Sequence, residues 1–415
     1  MKRSEDRPVR VVQIGIGGMG FHYLKTLLTG FPPGKVNLCG VVDPYPERSE
    51  LYDEVKKRDV PVCPSFKELL DSGLTADLVV ISSPLQHHVS QSLEALGAGS
   101  HVLCEKPLAA TIQEADRLIQ DTGLDSHWMR IGYQWSYTAA VQELKKDIMS
   151  GRFGKPIRAK SLYLWPRDTA YYSRNDWAGR IKDSENHWVL DSPANSAMAH
   201  DLHNLLFLLG GSLDRSALPV EVMAELYKAY PIENYDTVAC RFLMREGGEL
   251  LFYATHATPE TFGPMFSLEF ERATVSFGEE EQEIVATDSA GVEKKYGSPE
   301  AGDPFKKLFE AVDAVHNPKP VVCGPEAARS QTLCVNGIQD AVKDIRPFPQ
   351  SMIKTDGKKI WMKDLQESFL ICYKNETLPH EEGFSWARGG ERKELEDYHF
   401  FPGGISPHKN RGQAL

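Results

Sequence analysis

Cysteine is scarce in this chain, long apolar runs are missing, and positive charge is in deficit. The seven cysteines, Cys39, Cys63, Cys104, Cys240, Cys323, Cys334 and Cys372, are scattered without CxxC spacing. Their odd number leaves at least one unpaired in any disulfide scheme. They are expected to be reduced thiols in a cytosolic protein, not a covalent framework. The longest apolar candidate, around residues 202–210, has only the length of a core helix, so no membrane span is expected. The opening MKRSEDRPVR carries charge but no apolar run or cleavage site of a signal peptide, and the expected location is cytoplasmic. Lys and Arg number 47 against 58 Asp and Glu, a formal charge of −11. Such a balance gives nucleic acid or an anionic membrane no general attraction. The expected partners are small molecules and other copies of the chain, with no nucleic acid and no membrane. No internal repeat is visible.

What is present is core material. Hydrophobic residues make up 41% of 415 residues, too long a chain for one ordinary small domain at roughly 100–200 residues each. In the first third, apolar runs at 9–14, 36–42, 78–81, 101–104 and 128–131 alternate with segments of helical spacing. That alternation predicts βαβ units and a parallel sheet covered on both faces. The pattern changes near Gly132. A helix is predicted from Thr138 to Gly151, followed by aromatic-rich loops, by strands at 236–244 and 249–254, and by helical spacing at 303–316 and 325–342. From about Ile345 the periodicity weakens. The expected domains are therefore 1–132, 133–344 and a C-terminal extension, 345–415, that packs on the body or on a neighbouring subunit.

The first strand runs into Gly15-Ile16-Gly17-Gly18-Met19-Gly20 and then into an apolar-striped helix. A GxGxxG turn in this context binds a dinucleotide. Gly15 makes the tight turn, Gly17 lets backbone approach the pyrophosphate, Gly20 permits close helix packing, and Gly18 and Met19 open the helix whose free N–H groups face phosphate. Asp43 ends the second strand 23 positions after Gly20. It can accept hydrogen bonds from the ribose hydroxyls of NAD and would repel the extra phosphate of NADP, although Arg48 is near enough to receive that phosphate. NAD is the expected cofactor, with NADP possible. Ser83 and Pro84 follow the third strand, with Gln86 and His88 beyond, and are expected to border the nicotinamide ribose.

The GIGGMG turn, the SSPLQHH segment and Cys104-Glu105-Lys106-Pro107-Leu108 together resemble the Gfo/Idh/MocA family of nicotinamide-dependent sugar oxidoreductases. The resemblance spans about the first 155 residues, fades toward Val342, and leaves the tail uncovered. It implies a Rossmann domain followed by an α+β domain with an open, mostly antiparallel sheet whose face often serves in oligomer contacts, hence a homo-oligomer. It also implies that Glu105 and Lys106 border the cofactor, with Lys106 beside the substrate. Independently, Lys106 falls at the carboxyl end of a strand, at the ligand edge of the sheet, where a lysine can stabilise an alkoxide as hydride leaves.

A second signature, Asp191-Ser192-Pro193-Ala194-Asn195-Ser196-Ala197-Met198-Ala199-His200-Asp201-Leu202-His203-Asn204, resembles the family's catalytic helix. Counting back from Gly210 places His200 on the family histidine and Ser196 where the family has an Asp. An imidazole at 200 can still exchange the hydroxyl proton. His203 and Asn204 follow at helical spacing and, with Asn195, are candidates to hold substrate hydroxyls. A metal at His200 and His203 is disfavoured, and none is expected. The segment 164–180 mixes Trp165, Arg167, Tyr172, Arg174, Asn175 and Trp177 without strand or helix period. Aromatic faces for C–H groups and polar side chains for hydroxyls are what a sugar requires. Tyr133 and Trp135 replace the Asn-Arg common in the family, so a different pocket floor is expected.

The expected activity is hydride transfer between NAD and a secondary alcohol of a carbohydrate, cyclitol or glycoside. Two alternatives stand beside it: transient oxidation that drives elimination or epimerisation, and a non-catalytic regulator that binds NAD and sugar.

Overall fold

The computed structural model describes residues 7–122, 127–278 and 282–403. The outermost residues of the expected first and last segments, 1–6 and 404–415, lie outside them. Strands β1 (Val9–Ile14), β2 (Val36–Val42), β3 (Val62–Cys63), β4 (Leu78–Ile81), β5 (His101–Cys104) and β6 (Met129–Ile131) form one parallel sheet in the order β3-β2-β1-β4-β5-β6. Every residue of β4 is buried, as expected of a parallel strand covered on both faces. The connecting helices are α1 (Met19–Thr29), α2 (Tyr52–Lys57), α3 (Phe66–Asp71), α4 (His88–Gly97) and α5 (Ile112–Thr122). Strand order reverses between β1 and β4, so the loops that follow them diverge and leave a crevice at the carboxyl edge. The glycine turn and Ser83 fall at that crevice. Four of the five expected strands match the observed spans, and β3, only two residues long, is too short to show a period.

After α6 (Ala139–Met149), whose first turn is capped by the Thr138 hydroxyl, a second sheet begins. It comprises β7 (Pro156–Leu164), β8 (Pro219–Lys228), β9 (Thr237–Met244), β10 (Glu249–Thr255), β11 (Phe262–Phe270), β12 (Ala273–Phe277), β13 (Ile284–Asp288), β14 (Glu293–Gly297) and β15 (Arg346–Pro347), ordered β14-β13-β12-β11-β7-β10-β9-β8-β15. Most pairings are antiparallel, and β7–β10 and β8–β15 are parallel. Between β7 and β8 lie only the single turn α7 (Thr169–Tyr172) and helix α8 (Ala199–Leu208).

Helices link the two sheets. After the second sheet the chain returns as α9 (Lys306–His316), whose Leu308, Ala311 and Val312 pack with Val9, Val11, Leu78 and Val80 of the first. Helix α10 (Pro325–Asp340) packs against α5, α8 and β8. The segment at 303–316, expected within the second domain, thus completes the core of the first.

The remaining chain carries β16 (Ile353–Thr355), β17 (Ile360–Met362), α11 (Leu365–Asn375) and β18 (Arg392–Glu394), the last pairing with β8. Phe348, Met362, Leu365, Phe369 and Trp386 pack on Leu162, Tyr227, Leu251 and Tyr253. The extension therefore covers the face of the second sheet that α6, α8 and α10 leave open. His380 locks it to the sheet through the buried Glu225 carboxylate at 2.7 Å. Among the described residues no helix is long and apolar enough to cross a membrane, and no group of three or more His, Cys, Asp or Glu is placed to hold a metal ion.

Phe369 is fully buried in this cover, so Phe369→Ala is expected to cost about 3–5 kcal/mol by transfer and cavity terms. A urea midpoint measures this, with Phe400→Ala, at a residue 66% exposed, as the control that changes little.

Candidate active site

The glycine turn is shaped by its missing side chains. Gly15 has φ +78°, and a Cβ there would lie 2.7 Å from the Ser83 nitrogen, while one at Gly20 would collide with the Gly15 carbonyl. Around Gly17 and Gly18, in contrast, a Cβ would meet nothing within 4 Å. The turn is packed on the sheet side and open on the other, and no side chain caps α1, whose first residue Met19 is 47% exposed. Open backbone at an uncapped helix N-terminus is a cradle for a pyrophosphate, and NAD fits it. From below, the fully buried Gln13 amide donates to the Gly15 carbonyl (2.9 Å) and to Ser82 (2.7 Å). Asp43 accepts from the Ile16 (2.9 Å) and Tyr45 (2.8 Å) amides, so it ties the turn to β2 and retains lone pairs for ribose hydroxyls.

Across the crevice, the Ser83 hydroxyl is taken by Gln91 at 2.6 Å, and Gln86, beyond Pro84, reaches Asp183 at 3.1 Å. His88 departs from expectation. It is 2% exposed, with ring nitrogens 2.8 Å from the Pro107 carbonyl and 3.0 Å from that of Ser83. A buried imidazole must find polar partners, and here it staples the loop after β4 to the loop after β5.

Glu105 and Lys106 follow β5 directly. Glu105 is also buried, its carboxylate accepting from Tyr23 at 2.6 Å, from Lys307, and from the Lys106 amide at 3.1 Å. Burial opposes its ionisation, yet Lys307, Tyr23 and Lys106 hold its pKa below the ordinary value. Glu105 is therefore a support under the site. The Lys106 ammonium donates to the Ser196 carbonyl, and burial, followed by the charge of Lys307, pulls its pKa down against the pull of Glu105.

Helix α8 delivers His200 in its first turn. Its Nδ1 is buried without a hydrogen-bond partner, and its ring stands edge-on to Tyr133 at 5.8 Å. Burial and the nearby charges of Lys106 and Lys307 push its pKa well below the usual value, so the imidazole is neutral at pH 7. The carboxylate missing at 196 is supplied from five residues upstream. The Ser196 hydroxyl donates to Asp191, which also accepts the Gly179 amide at 2.6 Å. This carboxylate thus serves Ser196, and through its carbonyl Lys106, not the histidine. Next to His200, Asp201 is buried and its pKa is raised to about 8 by desolvation and the charge of Glu300.

His203 and Asn195 also depart from the expected substrate contacts. His203 is 1% exposed and stacks on Tyr133 at 3.7 Å, with Nε2 3.1 Å from the Ser136 hydroxyl. Asn195 is equally buried and donates to the Val189 carbonyl at 3.0 Å. Trp135 is only 6% exposed and packs on Phe277. On the aromatic segment the guanidinium of Arg167 lies 3.8 Å from the Trp165 ring centre and 4.6 Å from that of Tyr171. Arg174 lies 3.6 Å from Tyr171 and 5.0 Å from Trp177. Tyr172 packs inward on Tyr230 (4.8 Å), and Asn175 caps the amides of Trp177 and Ala178.

Sequence reasoning thus missed Gln13, Tyr23, Asp191, Asp201 and Lys307. Two of them had a visible signal. Gln13 is a lone polar residue in an apolar strand, and Lys307 lies beside Leu308 on the inward stripe of α9.

The comparisons with known proteins bear on the fold and on the Rossmann domain. Residues 9–122 match the model of the oxidoreductase family with an NAD-binding Rossmann fold, GFO_IDH_MocA. The inositol 2-dehydrogenase of Acidothermus cellulolyticus is 27% identical over 246 residues, 55% of this chain and 70% of that one. The scyllo-inositol 2-dehydrogenase (NAD(+)) of Bacillus subtilis is 27% identical over 160 residues, 38% of this chain and 45% of its own. In fold, the chain is similar to the WlbA dehydrogenase of Bordetella pertussis, solved with NADH and UDP-GlcNAcA. That likeness has TM-score 0.64 and 20% identity, and covers 80% of this chain and 95% of the other. A levoglucosan dehydrogenase solved with NADH gives TM-score 0.63 at 18% identity, with 80% and 96% covered. Over residues 9–122, the Rossmann domain with the glycine turn and Lys106 at its carboxyl edge, the chain matches the Gfo/Idh/MocA family of NAD-binding oxidoreductases.

Proposed function

We propose that the chain is a dehydrogenase that exchanges hydride between NAD and a secondary alcohol of a sugar or cyclitol. The observation that carries this reading is the nearness of Lys106, just after β5 at the carboxyl edge of the Rossmann sheet, to a neutral His200 whose Nδ1 is buried without a partner. Gly17, Gly18 and Met19 would face the pyrophosphate and Asp43 the ribose. When bound, NAD supplies the hydride acceptor. Lys106 then gives up the Ser196 carbonyl for the substrate oxygen and stabilises the negative charge that develops there. His200 takes the hydroxyl proton, for which its depressed pKa leaves the imidazole free. Asp191 keeps Ser196, and so the resting place of the ammonium, fixed. The inositol dehydrogenases among the relatives support a polyol substrate, and the aromatic segment suits one. Residues 133–344 would form the substrate domain, with α9 shared.

Three outcomes test this. Lys106→Met is expected to lower kcat by about 10²-fold or more while NAD still binds, the size of a lost oxyanion donor; unchanged turnover removes Lys106 from the mechanism. Asp43→Ala is expected to narrow the preference of kcat/KM for NAD over NADP and also to weaken both cofactors, because the Ile16 and Tyr45 amides lose their acceptor. A wild-type enzyme that prefers NADP contradicts the role of Asp43.

The third concerns pH. A base whose pKa is depressed is competent above that pKa and fails as pH falls through it, so the acid limb of the oxidation profile due to His200 is expected well below 6.5. Asp201, raised to about 8, ionises beside Lys106 as pH climbs past that value. A second inflection is expected there, and Asp201→Asn is expected to erase it and leave the acid limb in place. Initial rates of NADH formation across pH 5–10 would show both.

A further inference from the structure

The segment 165–177 is more than a generic sugar platform. Its guanidinium groups and aromatic rings alternate in space as Trp165, Arg167, Tyr171, Arg174 and Trp177. Cation–π contact holds each guanidinium flat and leaves N–H donors over, although Arg174 gives one of its own to the Tyr171 carbonyl at 2.5 Å. Arg167 has no carboxylate within 4 Å among the described residues, and its Nε is buried without a partner. Arg174 comes no closer than 4.0 Å to a carboxylate, that of Asp191. That group is already occupied by the Gly179 amide and the Ser196 hydroxyl.

These cations belong to the reacting corner. Arg174 lies 4.0 Å from the Asp191 carboxylate that accepts the Ser196 hydroxyl, Ser196 holds Lys106 through its carbonyl, and Arg167 shares the Tyr171 ring with Arg174. In a chain of formal charge −11, Lys106, Arg167 and Arg174 gather three cations in one region, while Asp201 stays protonated up to about pH 8. Arg174 is exposed and free to turn toward a ligand, whereas the buried Arg167 Nε, a donor that finds no acceptor, is costly unless a ligand supplies one. A neutral polyol offers hydroxyls, which need no pair of preset guanidinium forks; a planar oxyanion is what such forks match.

We propose that the substrate is an acidic sugar or cyclitol, carrying a carboxylate or phosphate that Arg167 and Arg174 clasp while Lys106 addresses the hydroxyl to be oxidised. This rests on the dehydrogenase reading above but is tested apart from it.

The experiment is calorimetric titration of the NADH-loaded enzyme with the uronic acids and the 6-phosphates of glucose, galactose and mannose, each against its neutral parent sugar. An oxyanion is expected to tighten binding about 10-fold or more in at least one configuration, as charge-assisted bidentate bonds provide. Whether uronate or phosphate gains more identifies which oxyanion is recognised. Arg167→Met and Arg174→Met are each expected to remove most of that gain, so that the acidic sugars bind little better than their neutral parents in the same variant. Should a methionine variant fail to fold, Arg167→Lys and Arg174→Lys, which keep the charge but lose the fork, are expected to retain only part of it. No preference for the oxyanion in any configuration, an absence of binding throughout, or a preference that survives loss of both guanidinium groups overturns the proposal. An enzyme that binds acidic sugars in this way but forms no NADH from any sugar overturns the dehydrogenase reading and leaves this site standing.

Discussion

Beneath the site lies one buried ion pair on which its geometry depends. Lys307, from a helix 202 residues further along the chain, meets Glu105 just after β5, with Tyr23 of α1 among the carboxylate's other partners. The same ammonium donates to the Gly132 carbonyl at 2.9 Å, where β6 ends. Four elements of the first domain are thereby fixed relative to one another. Removing one partner of such a pair strands a charge in the interior at a cost of about 3–5 kcal/mol, so the pair holds position more than it adds stability. What it positions is Lys106, the next residue, whose ammonium feels both members.

The charges above it follow from that arrangement. Burial first, and then the charges of Lys106 and Lys307, keep His200 neutral, and the absence of a carboxylate at 196 removes the group that would have opposed them. Asp191 anchors Ser196 instead, and Ser196 holds Lys106 through its backbone. Compared with an acid placed directly on the histidine, this leaves proton affinity at His200 low and gives orientation to the lysine.

Local regularities were legible in the sequence, and distant encounters were not. Strands β1, β2, β4 and β5 are apolar runs bounded by turn residues, and the glycine turn is a contiguous motif whose context identifies it. Lys106 and His200 each lie in a local signature. His88, His203 and Asn195 carry polar groups suited to ligands, but the burial that commits them to Pro107, Ser136 and Val189 is set by packing between distant segments. Asp191 could not be assigned because its role depends on a loop folding back so that Gly179 and Ser196 converge on it. Lys307 was hidden for the same reason: nothing local says that α9 leaves the second sheet and returns to the first.

The extension that seals the second sheet has a consequence for how that sheet exists in solution. An apolar sheet face must be covered by something, and a cover supplied by a separate molecule is lost on dilution. Here residues 348–387 are joined to the sheet by the chain itself, so docking is intramolecular, with an effective concentration on the order of millimolar for a short tether. The buried Glu225 clasp on His380 and the strand added at β18 hold the cover in register. Closure of this face is then independent of how much protein is present. The sheet carries its own second layer once residues 348–394 have been made.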